Sequence, residues 1–171
     1  MVTMGIDAST TSTGVAVFED TKLVYHTTIK PIGEDWRDRL FHQGPTLTKI
    51  VEEYKPKIVY MEDVPLKASG GLKTLVILGA VQGFIYGIMA AHNIRVEFLA
   101  PIQWRSRLGM YDGTKEGKTR DVLKEKAVAL ANATFGLELK WFGPKSKKTE
   151  DDVAEAICIA YSQIKPKKIG K

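Results

Sequence analysis

The feature that most constrains this chain is its opening. Two apolar runs, Val2-Thr3-Met4-Gly5-Ile6 and Gly14-Val15-Ala16-Val17-Phe18, flank the polar stretch Asp7-Ala8-Ser9-Thr10-Thr11-Ser12-Thr13. Short apolar runs around a Ser/Thr-rich turn spell a β-hairpin, which places Asp7 at the end of its first strand. A carboxylate at the mouth of a buried strand is costly unless something compensates it. Two compensations are open: a divalent cation, or backbone N–H groups of the turn capped by the side chain.

Residues 22–29 alternate as a third strand, so the chain begins as an antiparallel meander. Pro31 and Gly33 end it, and Glu34-Asp35 open a helix with Trp36, Leu40, Phe41, Leu47, Ile50, Val51 and Tyr54 at its apolar positions. Gly44-Pro45 inside that helix predicts a kink, because proline removes a backbone donor. The apolar run at 57–63 directly follows Lys55-Pro56 and reads as a buried parallel strand. It ends in Glu62, with Asp63 beside it. Ligands of open α/β sheets bind outside the carboxyl ends of strands, so Glu62 repeats the placement of Asp7.

Residues 68–71 (Ala68-Ser69-Gly70-Gly71) predict a flexible lead into a helix over 72–92. Gly79, Gly83 and Gly87 recur there at every fourth position. Each glycine costs a helix roughly 0.5–1 kcal/mol against alanine, so close approach must offset it. The approach is either to the chain's own sheet or to a second subunit. A strand at 94–98, a short helix at 102–108 bearing Trp104, Arg105 and Arg107, a glycine-rich loop at 109–118 and a helix at 119–134 follow. Residues 135–148 are irregular, with Trp141-Phe142-Gly143-Pro144 set among lysines. A last helix starts at Thr149. The whole is a single α/β domain spanning 1–171.

The formal net charge of +5 is unevenly distributed. Arg105, Arg107, Lys115, Lys118, Arg120, Lys124 and Lys126 crowd one segment, and lysines recur at 140–148 and from Lys165 onward. That pattern favours a polyanion, and nucleic acid above all. The single cysteine, Cys158, excludes an internal disulfide and any Cys-based zinc site, and its apolar surroundings mark it as core. His26 and His42 have no partner at metal-ligand spacing. The N-terminus lacks the pattern of a secretion signal, and the run at 75–91, interrupted by Gln82, is expected to fall short of a membrane span. A reducing, cytoplasmic setting without a membrane is the expectation. Gly113-Thr114-Lys115-Glu116-Gly117-Lys118-Thr119 looks like a phosphate loop, but Walker A needs four residues between its glycines and here there are three. The segment reads instead as a basic loop before a helix whose N-terminus suits phosphate.

The last helix carries Glu150, Asp151, Asp152 and Glu155. Thr149 with Asp152 is close to a capping box, and acids in a first turn favour the helix dipole. That accounts for the first three acids but not for Glu155. Val153, Ile157, Ala160, Tyr161 and Ile164 form one buried stripe, with Asp151, Asp152 and Glu155 together on its flank. Carboxylates this close repel unless cations stand between them. The candidate set is therefore Asp7, Glu62 and two of Asp151, Asp152 and Glu155. Oxygen ligands without His or Cys select magnesium or manganese. Two such ions about 3.5–4 Å apart activate water and stabilise the leaving oxygen of a phosphodiester. A metal-dependent nuclease is the reading.

Gly5-Ile6-Asp7-Ala8-Ser9 with Thr13-Gly14, the strand ending Met61-Glu62, and Asp152-Val153-Ala154-Glu155-Ala156-Ile157-Cys158-Ile159-Ala160 resemble the RuvC family of Holliday-junction resolvases. The likeness runs through nearly the whole chain and is closest to the shorter RuvC-like proteins of bacteriophages. It implies an RNase H-like (retroviral integrase-type) fold, with a five-stranded mixed sheet flanked by helices. It also implies a homodimer that resolves four-way and other branched DNA by paired cuts, with the helix of Gly79, Gly83 and Gly87 at the subunit contact. By position, Asp7, Glu62, Asp152 and Glu155 match the family's metal-binding acids, with Asp151 a possible substitute. Lys118 matches a basic residue near the scissile phosphate, and Arg105 and Arg120 are further candidates for phosphate contacts. Two departures stand out. Glu155 replaces the usual aspartate, and Asp63-Val64-Pro65-Leu66 lacks the aromatic that often stacks in the junction, which predicts relaxed sequence choice. The rival readings are a non-catalytic junction-binding module and an actin- or sugar-kinase-like ATP-binding half. The latter would need a second similar domain, for which this chain has no room.

Overall fold

A computed structural model describes residues 1–64 and 71–165. Pro65 and Leu66 of the stretch after Glu62, the expected flexible stretch at 68–71 (apart from Gly71) and the whole basic tail after Lys165 lie outside these residues. Five strands form one sheet: β1 (Val2–Asp7), β2 (Thr13–Glu19), β3 (Lys22–Ile29), β4 (Ile58–Glu62) and β5 (Arg95–Leu99), in the order β3-β2-β1-β4-β5. The meander pairs antiparallel, whereas β4 and β5 add in parallel. The sheet is thus mixed, as the resemblance implies.

Two helices connect the parallel strands and share one face. They are α1 (Trp36–Tyr54) and α2 (Gly71–Ala91). Met4, Ile6, Val15, Val17, Val59 and Met61 point into this layer against Leu47, Val51, Val81 and Ile85. The side chain of Asp35 caps α1 by accepting from the N–H groups of Arg37 and Asp38, and α1 continues through Gly44-Pro45 as one helix. At 21 residues α2 is long and apolar enough, by composition alone, to cross a membrane. That corrects the expectation that it falls short. Here Val81, Ile85 and Met89 are buried against the sheet, and Gln82 Nε2 donates to the Glu62 carbonyl at 2.7 Å.

The opposite face carries α5 (Asp151–Ile164), overlaid by α3 (Pro101–Arg107) and α4 (Arg120–Phe135). A single buried stripe was expected on α5. Instead every residue from Val153 to Ala160 is buried, because the sheet covers one side of the helix and α4 with α3 the other. The expected capping box is not formed. Thr149 Oγ1 accepts from Phe142 N–H and bonds the Gly143 carbonyl, so it ties down the preceding loop and leaves the Asp152 carboxyl unused by the helix end.

Candidate metal-binding acid cluster

Strand alternation turns Thr3, Gly5 and Asp7 towards α5, and it turns Tyr60 and Glu62 of the adjoining parallel strand the same way. Two glycines then let α5 come down on the backbone. A Cβ at Gly5 would lie 2.1 Å from the Ala156 carbonyl oxygen, and one at Gly14 would lie 2.0 Å from that of Asp152. Gly14 is the residue paired with Asp7. The first turn of α5 is therefore seated directly beside Asp7, and Glu155 follows on the same helix face.

The four carboxylates feel one another. Burial holds the Asp7 carboxyl well above the ordinary aspartate range, and the charges of Glu155, Glu62 and Asp152 push it further, with Lys124 opposing. Of the two adjacent aspartates, Asp152 is the one that acts on Asp7 here, while Asp151 pairs with Lys124. Among the described residues the Asp7 carboxylate has no hydrogen bond or ion pair. The turn after β1 is held by its own hydroxyls: Ser9 N–H donates to Thr13 Oγ1 at 3.1 Å and Thr11 N–H to Ser9 Oγ at 3.2 Å. Turn capping does not explain Asp7.

Two cations thread the cluster. Arg105 lies 2.8 Å from Glu155 Oε1 and 3.4 Å from Glu62 Oε2, with its guanidinium 4.5 Å over the Trp104 ring. Trp104 Nε1 donates to Glu62 Oε2 at 2.8 Å, which fixes that carboxylate. Lys124 reaches Asp151, and lies 3.7 Å from both Asp152 and Glu155. Burial raises the carboxyls of Glu62 and Asp152. Arg105, the Trp104 bond and Arg120 counter it at Glu62, and Ser12, Lys124 and Lys30 at Asp152. With these ion pairs made, no three of the acids focus on one point among the described residues.

The donor set nonetheless fits a hard dication. It consists of oxygen ligands only, and Asp7 is partly buried with no hydrogen bond or ion pair to a described residue. Arg105, expected on phosphate, is instead inside the cluster, its side chain 15% exposed. Lys118 and Arg120 are exposed at the end of the 3-10 turn Glu116–Lys118 and the start of α4, with Arg120 close enough to act on Glu62. The loop with the phosphate-loop look is already filled by an acid: Asp112 accepts from Thr114 N–H at 3.0 Å and pairs with Lys126 at 2.7 Å. Cys158 is core, as expected, and burial pushes its thiol up. Lys124, Trp104 and Ser12 are site residues that sequence reasoning missed. The available signal for Lys124 was a cation beside Leu123 and Ala127 on the buried stripe of α4.

No protein-family profile matches the chain. Among curated proteins it is 27% identical over 168 residues to the crossover junction endodeoxyribonuclease RuvC of Carboxydothermus hydrogenoformans, covering 95% of this chain and 94% of that one. The chain resembles RuvC along nearly its whole length. Thermus thermophilus RuvC, solved in complex with a Holliday junction substrate, superposes with a TM-score of 0.69 at 19% identity, covering 95% of this chain and 91% of that one. The Fowlpox virus resolvase, solved with Holliday junction DNA, gives a TM-score of 0.59 at 15% identity, covering 96% and 97%. The likeness to both is one of fold, the RNase H-like sheet with helices on its two faces.

Proposed function

We propose that this chain is a metal-dependent endonuclease that resolves Holliday junctions and other branched DNA, in recombination and repair, by paired cuts from a homodimer. The observation that carries the proposal is the convergence of Asp7, Glu62, Asp152 and Glu155 from β1, β4 and α5 in a chain that resembles RuvC. These four would hold magnesium or manganese, with Asp7 central because the other three all act on it. Two such ions, when bound, supply an activated water and stabilise the leaving oxygen. Arg105 and Lys124 keep the carboxylates charged and spaced until a dication takes over that role. Lys118 and Arg120 stand where they can hold phosphates of the bound strand.

The subunit contact falls to α2. Among the described residues, a Cβ at Gly79, Gly83 or Gly87 would meet nothing within 4 Å, so these glycines are not packed on the chain's own sheet. Leu72, Val76 and Tyr86 are exposed on the same helix. A contiguous apolar surface of this kind suits a second copy.

A second reading has one observation in its favour: the acids other than Asp7 are already paired with Arg105 and Lys124. A protein that binds junctions without cutting them would need nothing more. One experiment separates the two. A labelled four-way junction and a linear duplex are incubated with the protein, with and without magnesium or manganese. The nuclease reading expects symmetric, metal-dependent nicks in the junction only. Tight binding with no nicks in either metal would favour the second reading.

A further inference from the structure

We infer that Phe142 is a base-stacking residue for the branched DNA, and that loop 136–150, not the segment after β4, reads the branch point. The inference rests on the branched-DNA reading above and adds a specificity-determining contact to it. Phe142 is 60% exposed, whereas its neighbour Trp141 packs against the core under α4 and α5. A lone exposed aromatic means little; this one is held out by a braced loop. Leu139 exchanges two hydrogen bonds with the Asn132 side chain, both 2.9 Å. Lys140 and Glu150 bond across the loop base at 3.0 and 2.9 Å. Phe142 N–H donates to Thr149 Oγ1 at 3.1 Å, and Gly143 turns the chain at φ 88°. These bonds tie the loop on both sides of Phe142 and leave the ring in solvent.

The surroundings favour nucleic acid. Lys140, Lys145, Lys147 and Lys148 are all exposed, and none forms an ion pair with a described residue, while Glu150 is used in the brace. Cations that follow a backbone beside an aromatic on which a base can lie are how single-stranded and splayed nucleotides are held. The loop also runs straight into the acid cluster. Thr149, to which Phe142 is tied, precedes Asp152 by three residues, at most about 10 Å of chain. That is only a few nucleotides' rise from the place of cleavage. Finally, residues 63–71, which follow Glu62, contain no aromatic on which a base could lie.

The test uses a four-way junction carrying 2-aminopurine at the branch point, with binding and fluorescence read first in EDTA and cleavage afterwards in magnesium. The wild-type protein is expected to quench the probe. Phe142→Ala should lose that quenching and bind the junction about 5- to 150-fold more weakly, with linear-duplex affinity and Tm unchanged. Phe142→Trp should restore both. A Phe142→Ala protein with wild-type junction affinity and wild-type quenching would overturn the inference alone. So would loss of the dimer on sedimentation with the quenching intact, since that would assign the ring to a protein contact. Wild-type protein that binds and quenches yet cuts in neither magnesium nor manganese would overturn the nuclease reading and leave the stack standing.

Discussion

Two sets of glycines sit on opposite faces of this sheet and do opposite things. Gly5 and Gly14 vanish beneath α5, where even a methyl group would strike helix backbone at about 2 Å. Gly79, Gly83 and Gly87 line a helix of the other face, where the same methyl group would meet open space. The first set closes the molecule on itself and seats Asp152 and Glu155 beside Asp7. The second set leaves a helical surface that no described residue covers. Side-chain deletion is one chemical device; whether it builds a site or a docking face depends on what the topology lays across it.

The contrast breaks most sharply at Gly14. Gly14→Ala forces the carbonyl of Asp152 away from β2, and overpacking against backbone cannot be relieved by a rotamer change. We expect a loss at the upper end of about 1–3 kcal/mol in denaturant unfolding, and a protein that no longer nicks junctions. Wild-type unfolding would show that α5 is not seated on these glycines.

Next in size is Asp7→Asn. Junction cleavage should fall by more than about 100-fold while junction binding persists, because the cationic surface is untouched. The metal-free variant should also melt above the wild type. The sign follows from the raised carboxyl: folded Asp7 holds its proton to higher pH than unfolded Asp7, so its contribution is complete below the unfolded pKa and is lost as pH rises through the folded one. At neutral pH the wild type carries that penalty and the amide does not. Thermal melts between pH 4 and 8 should therefore flatten in the variant.

Lys124→Met removes one cation from the cluster and leaves Asp151, Asp152 and Glu155 less compensated. About 2 kcal/mol of metal-free stability should go, somewhat below the usual loss for a fully buried pair. Manganese should recover more of it than it adds to the wild type, as read by thermal shift. Smallest on the fold is Gly83→Leu. It should abolish the proposed dimer in sedimentation while the monomer keeps its stability, or gains up to about 1 kcal/mol from helix propensity.

Most of the framework was readable from the residues alone. Strand and helix positions, the paired strand-end acids and the interior place of Cys158 follow from alternation, apolar runs and turn chemistry acting within a few residues. What escaped was set by packing between distant segments. A helical stripe reveals one buried side of a helix, so α5 looked half exposed until α4 was laid over it. Thr149 reads in sequence as the start of a capping box, and only the fold of loop 136–150 shows that it braces Phe142 and Gly143 instead. Arg105 and Lys124 looked like surface cations because a charge count does not say which arginine or lysine α3 and α4 turn inward. The glycine stripe of α2 left two uses open, and only coordinates separate them.

The central claim is that these carboxylates, drawn from three elements, close on dications once Arg105 and Lys124 give way. Anomalous scattering from a crystal grown with manganese tests it most directly. The account predicts peaks ringed by Asp7, Glu62, Asp152 and Glu155. A crystal saturated with manganese, with Arg105 and Lys124 still in their ion pairs and no peak at Asp7, would contradict it.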